Sequence, residues 1–412
     1  MKFSKTGQAI LAATVSLGMG LGMISCGQSN TIDYVYVTSN KNNPGQIAVF
    51  RLDQQSGALT AIKDSPYPSG GRNPVAEVTS PNGANLYVVN HDDNTLVEFA
   101  IGTDAKLYPG HTYQTPGTEP NAVAISPDGT LLFVLDTYQA TYSDQNPGPG
   151  ALVVYPINKD GSLGANLTNG NLPYWPVEYA PATINVTTNG KFAYVANANT
   201  NNPIGANQHG TVSAFSVGSG GTLTPVYGST ATLPYAGVTP TASASDPTSR
   251  FLYVTDAASN QLYAYTINPD GTLTPLTNGP FGTGTYPDAI TIDPSGTYIY
   301  VANYSSNSIS AYTITQSTGA PSALGAATVY ITKTGPTCIM VEPAFGRFLY
   351  TSNFLDSSLT GYKLNPKDGS LVGTENSPYP TSPAGQPTCV AAVTHGNHPG
   401  EHVQSTSGNG VD

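Results

Sequence analysis

Seven times along the chain, a short apolar strand built around an aromatic residue ends three positions later on a small polar side chain. The aromatics are Tyr36, Tyr87, Phe133, Tyr194, Tyr253, Tyr300 and Tyr350; the polar partners are Ser39, Asn90, Asp136, Asn197, Asp256, Asn303 and Asn353. A second segment of the form aliphatic-x-x-aromatic-x-aliphatic follows each, at 47–52, 96–101, 152–157, 212–217, 262–267, 309–314 and 359–364. Apolar runs of this length bounded by turn residues read as strands, and Asp160-Gly161, Asp270-Gly271 and Asp368-Gly369 supply hairpin turns into a third strand. A further segment opens on proline at Pro74, Pro120, Pro181, Pro240, Pro287, Pro336 and Pro387. The repeat is out of phase with the chain ends. The first aromatic strand has no proline segment before it, and the last proline segment has no aromatic strand after it. Residues 387–394 therefore complete the unit begun by residues 33–66. The expectation is an all-β fold, a seven-bladed β-propeller of four-stranded antiparallel blades whose N- and C-terminal strands close the ring in one blade. Such closure leaves no free sheet edge to aggregate.

The first thirty residues lie outside this pattern. Lys2 and Lys5 precede an apolar run from Ala9 to Ile24, too short for a membrane span, and then comes Ser25-Cys26-Gly27. This is the pattern of an export signal. Met23-Ile24-Ser25-Cys26 resembles the lipidation site of bacterial lipoproteins, which implies a lipid on Cys26 and, with Gly27 next, the outer membrane. The expected layout is a signal peptide over 1–26, a linker over 27–32, the propeller over 33–394 and a polar His-containing tail over 395–412. The tail carries His395, His398, Glu401 and His402 among Gly, Ser and Asn, and reads as a solvated end rather than a metal site.

Composition narrows the partners. The formal charge is -11, with 14 Lys and Arg against 25 Asp and Glu, which disfavours nucleic acid because phosphate backbones are held by several cations. No cofactor motif is present. Two cysteines remain beyond Cys26: Cys338 and Cys389, each two residues after the strand proline in consecutive inner segments. The same place holds Ala76, Ala122, Thr183, Ala242 and Ala289, so the site demands small side chains. A disulfide and a pair of buried thiols are both consistent with this placement.

The Tyr-Val-Ala-Asn strands (194–197, 300–303) and the Ser-Pro-Asp-Gly turn (126–129) resemble the lactonase-family seven-bladed propellers, which include bacterial 6-phosphogluconolactonase, and the exported propellers with Tyr-Val-Thr-Asn repeats. The resemblance spans roughly residues 33–394. It implies lactone hydrolysis. The family's His-Pro-His falls on Glu119-Pro120-Asn121, its Pro-Arg-His on Pro181-Ala182-Thr183, and a family glutamate on Ala198; Asp136 alone matches, at a position that is Asx in six repeats.

Loops preceding the proline segments share one face with those after the aromatic strands, and there Arg72, His91, Asp92, Asp93, Glu119, Asp136, Glu178, Asp256, Asp288 and Asp356 make an acidic mouth. Two readings follow. In the first, the chain is a lipid-anchored binding scaffold for a glycan, small molecule or protein, with an aromatic platform from Tyr138, Tyr142, Trp175, Tyr179 and His209 on insertions 137–150 and 198–210 and the segment 164–180 between them. In the second it is a lactone hydrolase with a rebuilt site: Glu119 or His91 as base, Arg72 at the oxyanion, and Asp288 beside them. The first is the expectation. A quinone- or metal-dependent oxidoreductase ranks last.

Overall fold

The computed structural model describes residues 30–199, 209–228, 231–325 and 329–395. Thirty-two strands in seven separate antiparallel sheets make up almost all of it, with two single-turn 3₁₀ helices. We number the sheets as blades 1–7 in chain order. The inner strands of blades 2 to 7 are Pro74–Thr79, Thr118–Ile125, Pro181–Val186, Pro240–Ser245, Pro287–Ile292 and Pro336–Val341. That of blade 1 is the last strand, Pro387–Thr394, which pairs antiparallel with Thr31–Ser39. The ring is zipped by the two ends of the fold.

Every inner strand begins with the same irregularity. The proline pairs with the small polar residue of the next strand (Pro74 with Asn90, Pro240 with Asp256, Pro387 with Ser39), and the residue after it drops out of register. Proline has no N–H to give the ladder, so a bulge at this end loses nothing, and it turns one side chain per blade toward the axis. Those seven residues are Val75, Asn121, Ala182, Thr241, Asp288, Thr337 and Thr388.

The core is divided among the seven interfaces between blades. The repeat aromatics lie there, all with no exposed surface. Six are tyrosines, and each hydroxyl donates to a backbone carbonyl in the outer turn of the following blade. Tyr87 reaches Gly161 at 2.7 Å, Tyr194 reaches Gly271 at 2.9 Å, Tyr253 reaches Gly319 at 2.7 Å and Tyr300 reaches Gly369 at 2.8 Å. Tyr350 reaches Gly57 at 2.7 Å across the ring closure, and Tyr36 reaches Ala105 at 3.3 Å. The turn must bring its backbone close. Gly271 has φ +86, and a Cβ there would stand 2.4 Å from the Phe192 ring, so no larger residue fits. Blade 3 carries Phe133 and has no hydroxyl to give. Its interface with blade 4 is latched instead by the Trp175 indole N–H, which donates to the Leu223 carbonyl at 2.8 Å.

Four blades extend beyond the expected four strands. Tyr67–Pro68, Phe281–Gly282, Tyr330–Ile331 and Tyr379–Pro380 each pair with the third strand of their blade. Three follow a proline-aromatic pair, Pro66-Tyr67, Pro280-Phe281 and Pro378-Tyr379, a signal readable in the sequence.

Candidate functional site

The recurrent small polar residue proves to be architectural. Asn90, Asp136, Asn197, Asp256, Asn303 and Asn353 are fully buried. Asp136 accepts the Gly117 N–H at 2.8 Å, Asp256 accepts those of Thr239 and Val238 at 2.7 and 3.1 Å, and Asn353 donates to Thr360 and Ser358. The aspartates thus tie the loop leading into the inner strand to its own blade, while Asn353 ties the second strand to the third. Burial lifts the Asp136 carboxyl to about 8.

The axial bulge residues line a cavity of about 320 Å³, together with Tyr304 and Phe354. Four of the seven secure the ring. Asn121 Nδ2 donates to the Pro181 carbonyl at 2.6 Å, Thr241 Oγ1 to Pro287 at 2.6 Å, Thr388 Oγ1 to Pro74 at 2.7 Å and Thr337 Oγ1 to Pro387 at 3.3 Å. Val75 and Ala182 have nothing to donate. Asp288 is half-buried, no described residue hydrogen-bonds its carboxyl, and desolvation lifts that carboxyl to about 7. A larger cavity, about 590 Å³, lies on the opposite face among hairpin turns of blades 3 and 4. Its acid, Asp128, is spent on Ser126 and Thr130, so that cavity offers little chemistry.

Three of the four catalytic candidates come together between blades 2 and 3: Arg72 lies three residues before the axial Val75, Glu119 two before the axial Asn121, and His91 follows the second strand of blade 2. Asp92 Oδ1 lies 2.8 Å from His91 Nδ1 and accepts the Asn73 Nδ2 at 3.0 Å. These bonds hold the Asp92 carboxyl below its ordinary range. The Asp92 contact orients the imidazole through Nδ1, and Nε2 points toward Glu119, 3.9 Å from its Oε2. Glu119 sits at φ +56, a left-handed conformation held by its N–H to Asn94 Oδ1 at 2.7 Å. Partial burial, then Asp144, push its carboxyl upward. Arg72 is already engaged: Nε meets Asp93 Oδ1 at 2.6 Å, and Nη2 donates to the Asp92 carbonyl. Asp288, the fourth candidate, belongs to blade 6, away from this cluster and facing the axial cavity.

The aromatic platform does not assemble. Trp175 is 1% exposed, packed between blades 3 and 4 with its N–H bonded. The segment around it is the outermost strand of blade 3, Trp175–Tyr179, rather than a mouth loop. Tyr138 is buried with its hydroxyl on Asp144 at 3.1 Å. Tyr142 packs over Gly148, and Tyr179 is half-buried at the strand's end. His209 lies in blade 4 against Tyr235, ring centroids 5.1 Å apart. A sequence rich in aromatics does not reveal which rings the blade edge consumes.

Cys338 and Cys389 meet: the two sulfurs are 3.6 Å apart, both buried and both thiols here. They face each other across the interface of blades 7 and 1. Cys26, His398, Glu401 and His402 lie outside the described residues, and His395 packs edge-on against Tyr34 at 4.9 Å.

Comparison with known proteins agrees with this architecture. The family model for the lactonase seven-bladed β-propeller matches residues 34–172 and 211–341. No curated protein sequence matches. Among solved structures, a provisionally assigned 6-phosphogluconolactonase from Bacteroides uniformis ATCC 8492 superposes with a TM-score of 0.70 at 19% identity, over 89% of this chain and 100% of its own. The periplasmic gluconolactonase PpgL of Pseudomonas aeruginosa gives 0.66 at 18%, over 89% and 100%. A Lactobacillus plantarum protein gives 0.67 at 19%, over 88% and 99%. At such identities the likeness is one of fold; the family match covers well over half of the sequence, and the chain belongs to the lactonase family of seven-bladed β-propellers.

Proposed function

We propose that the protein hydrolyses an unphosphorylated sugar lactone at the rim between blades 2 and 3. The observation that carries this reading is the Asp92–His91···Glu119 alignment beside the axial cavity. His91 Nε2 takes a proton from water as the water attacks the lactone carbonyl. The ring C–O bond then breaks, and the proton passes to the departing alkoxide, giving the open hydroxy acid. Asp92 supports the charge that forms on the imidazole, while Glu119 orients the water. Arg72 is the neighbouring cation for the developing oxyanion. A phosphate has no second arginine to meet, so a neutral sugar suits the site better than a phosphorylated one. Gluconolactonase and 6-phosphogluconolactonase names among the structural relatives point to the same substrate class.

Turnover of glucono-δ-lactone, with its 6-phosphate the poorer substrate, is the expected result, and His91→Gln should lower kcat by about a hundredfold or more. No turnover of any sugar lactone, or a His91→Gln variant at the wild-type rate, would overturn the reading. A non-catalytic scaffold is favoured by one observation: Arg72 is paired with Asp93, which weakens it as an oxyanion partner. We further infer, from the pattern over residues 1–27, that the chain is exported and anchored by a lipid on Cys26. Metabolic labelling with a radioactive fatty acid, lost in Cys26→Ala, tests this.

A further inference from the structure

At six of the seven axial positions the bulge residue either donates to the next blade's proline carbonyl or is a small apolar side chain. Asp288 does neither. As a carboxylate it has no proton for the Pro336 carbonyl ahead of it, where Thr241, Thr337, Thr388 and Asn121 each donate. The ring would be served as well by threonine, which three blades use. An acid here is therefore not explained by closure of the propeller, and its negative form is left facing the cavity with no described partner.

The wall beside it is aromatic. Tyr304 and Phe354 line the same cavity, and Tyr286 stands next to Tyr304 with ring centroids 5.8 Å apart. Tyr286 is 42% exposed. The geometry depends on Gly335: a Cβ there would lie 3.1 Å from the Tyr304 ring and 3.0 Å from Leu355, so a larger residue would push both away. One unpaired carboxylate in a cavity walled by aromatic rings is the chemistry that recognises an organic ammonium ion, through charge and the π-systems of the rings. An anion would face the Asp288 carboxylate with no cation among the lining residues, and the threonine hydroxyls and the Asn121 amide there already donate to proline carbonyls. The volume, about 320 Å³, is at the small end for ligand pockets and suits a compact head group.

We propose that the axial cavity is a binding site for a small organic ammonium group, with Asp288 as counter-ion and Tyr304 and Phe354 as its aromatic walls. The site is separate from the rim residues His91 and Glu119 and does not depend on lactone hydrolysis. Choline is the probe and its neutral isostere 3,3-dimethylbutan-1-ol the control, titrated by calorimetry into the full chain at about pH 8.5, where the Asp288 carboxyl is ionised. Choline should bind, and the isostere should bind at least about tenfold more weakly. Asp288→Thr, which supplies the hydroxyl other blades use and so keeps the ring intact, should lose at least about tenfold in affinity; Tyr304→Leu should lose about threefold or more. Glu119→Gln should leave choline binding unchanged. Absence of choline binding to the wild type, equal binding of the isostere, or full affinity in Asp288→Thr would overturn the assignment. So would loss of choline binding in Glu119→Gln, which would place the ligand at the rim.

Discussion

Replacing Tyr253 by phenylalanine removes one oxygen from the interface of blades 5 and 6 and leaves the ring packing in place. The hydroxyl is fully buried and donates to the Gly319 carbonyl at 2.7 Å, 66 residues away in sequence. Burial pushes its ionisation far upward, so it remains a donor at any working pH. Without it the buried Gly319 carbonyl loses this partner, and the cost is the desolvation of an unpaired acceptor, about 1–3 kcal/mol. Tyr36→Phe is the internal comparison, because its bond to Ala105 is 3.3 Å long and should be worth less. Urea unfolding followed by far-UV circular dichroism reads both variants, and the midpoint should fall further for Tyr253→Phe with little change in slope. The two sites share no partner, so the double variant should show the sum of the single effects. An unchanged midpoint in Tyr253→Phe, or a larger loss in Tyr36→Phe, would refute the idea that these hydroxyls hold the blades together.

Other outcomes follow from the same geometry. Trp175→Phe should destabilise the interface of blades 3 and 4 by about 1–3 kcal/mol, since it strands the Leu223 carbonyl where no tyrosine substitutes; urea midpoints measure it. Asp136 has a folded-state value of about 8 against an ordinary 3.8, so its contribution to stability is full below the ordinary value and is lost as pH rises through 8. Asp136→Asn, the residue four other blades carry, should therefore hold its urea midpoint between about pH 4 and 8 while the wild type declines; parallel curves over that range would count against this. Protein matured in an oxidising compartment should show no free thiol at Cys338 or Cys389 after unfolding. A bond closing that 51-residue separation adds about 4 kcal/mol on the chain-entropy relation, so reduction should lower the wild-type midpoint and leave Cys389→Ala unmoved.

The fold was legible because each blade repeats the same physical problem. A proline that cannot donate, a small polar residue opposite it and an aromatic on the buried face recur seven times, and the offset between the ends dictates the closing strand. What was not legible depends on neighbours far away in sequence. Nothing local to Tyr253 names Gly319 as its partner, and nothing local to Trp175 shows that Phe133 has left its interface without a hydroxyl. The rim cluster is half visible: shared loop positions draw Arg72, His91 and Glu119 together, but they draw in Asp288 as well, and the ring sends it to another blade. The bulge after each proline explains that difference. It rotates the residue after the proline toward the axis, and the proline repeat marks that position without showing that its side chain is turned inward.

The closing strand pair also sets the molecule's bearing toward whatever holds it. Ser39 and Pro387 pair at the end of the ring where the axial cavity lies, while Asp33 and Thr394 pair at the other end, among the hairpin turns. Both ends of the described propeller thus lie on the hairpin side. A fatty acyl group on Cys26 would moor the disc by its back, with the cavity and the His91 rim directed outward from the bilayer, and any approaching molecule would reach them without first crossing the lipid surface.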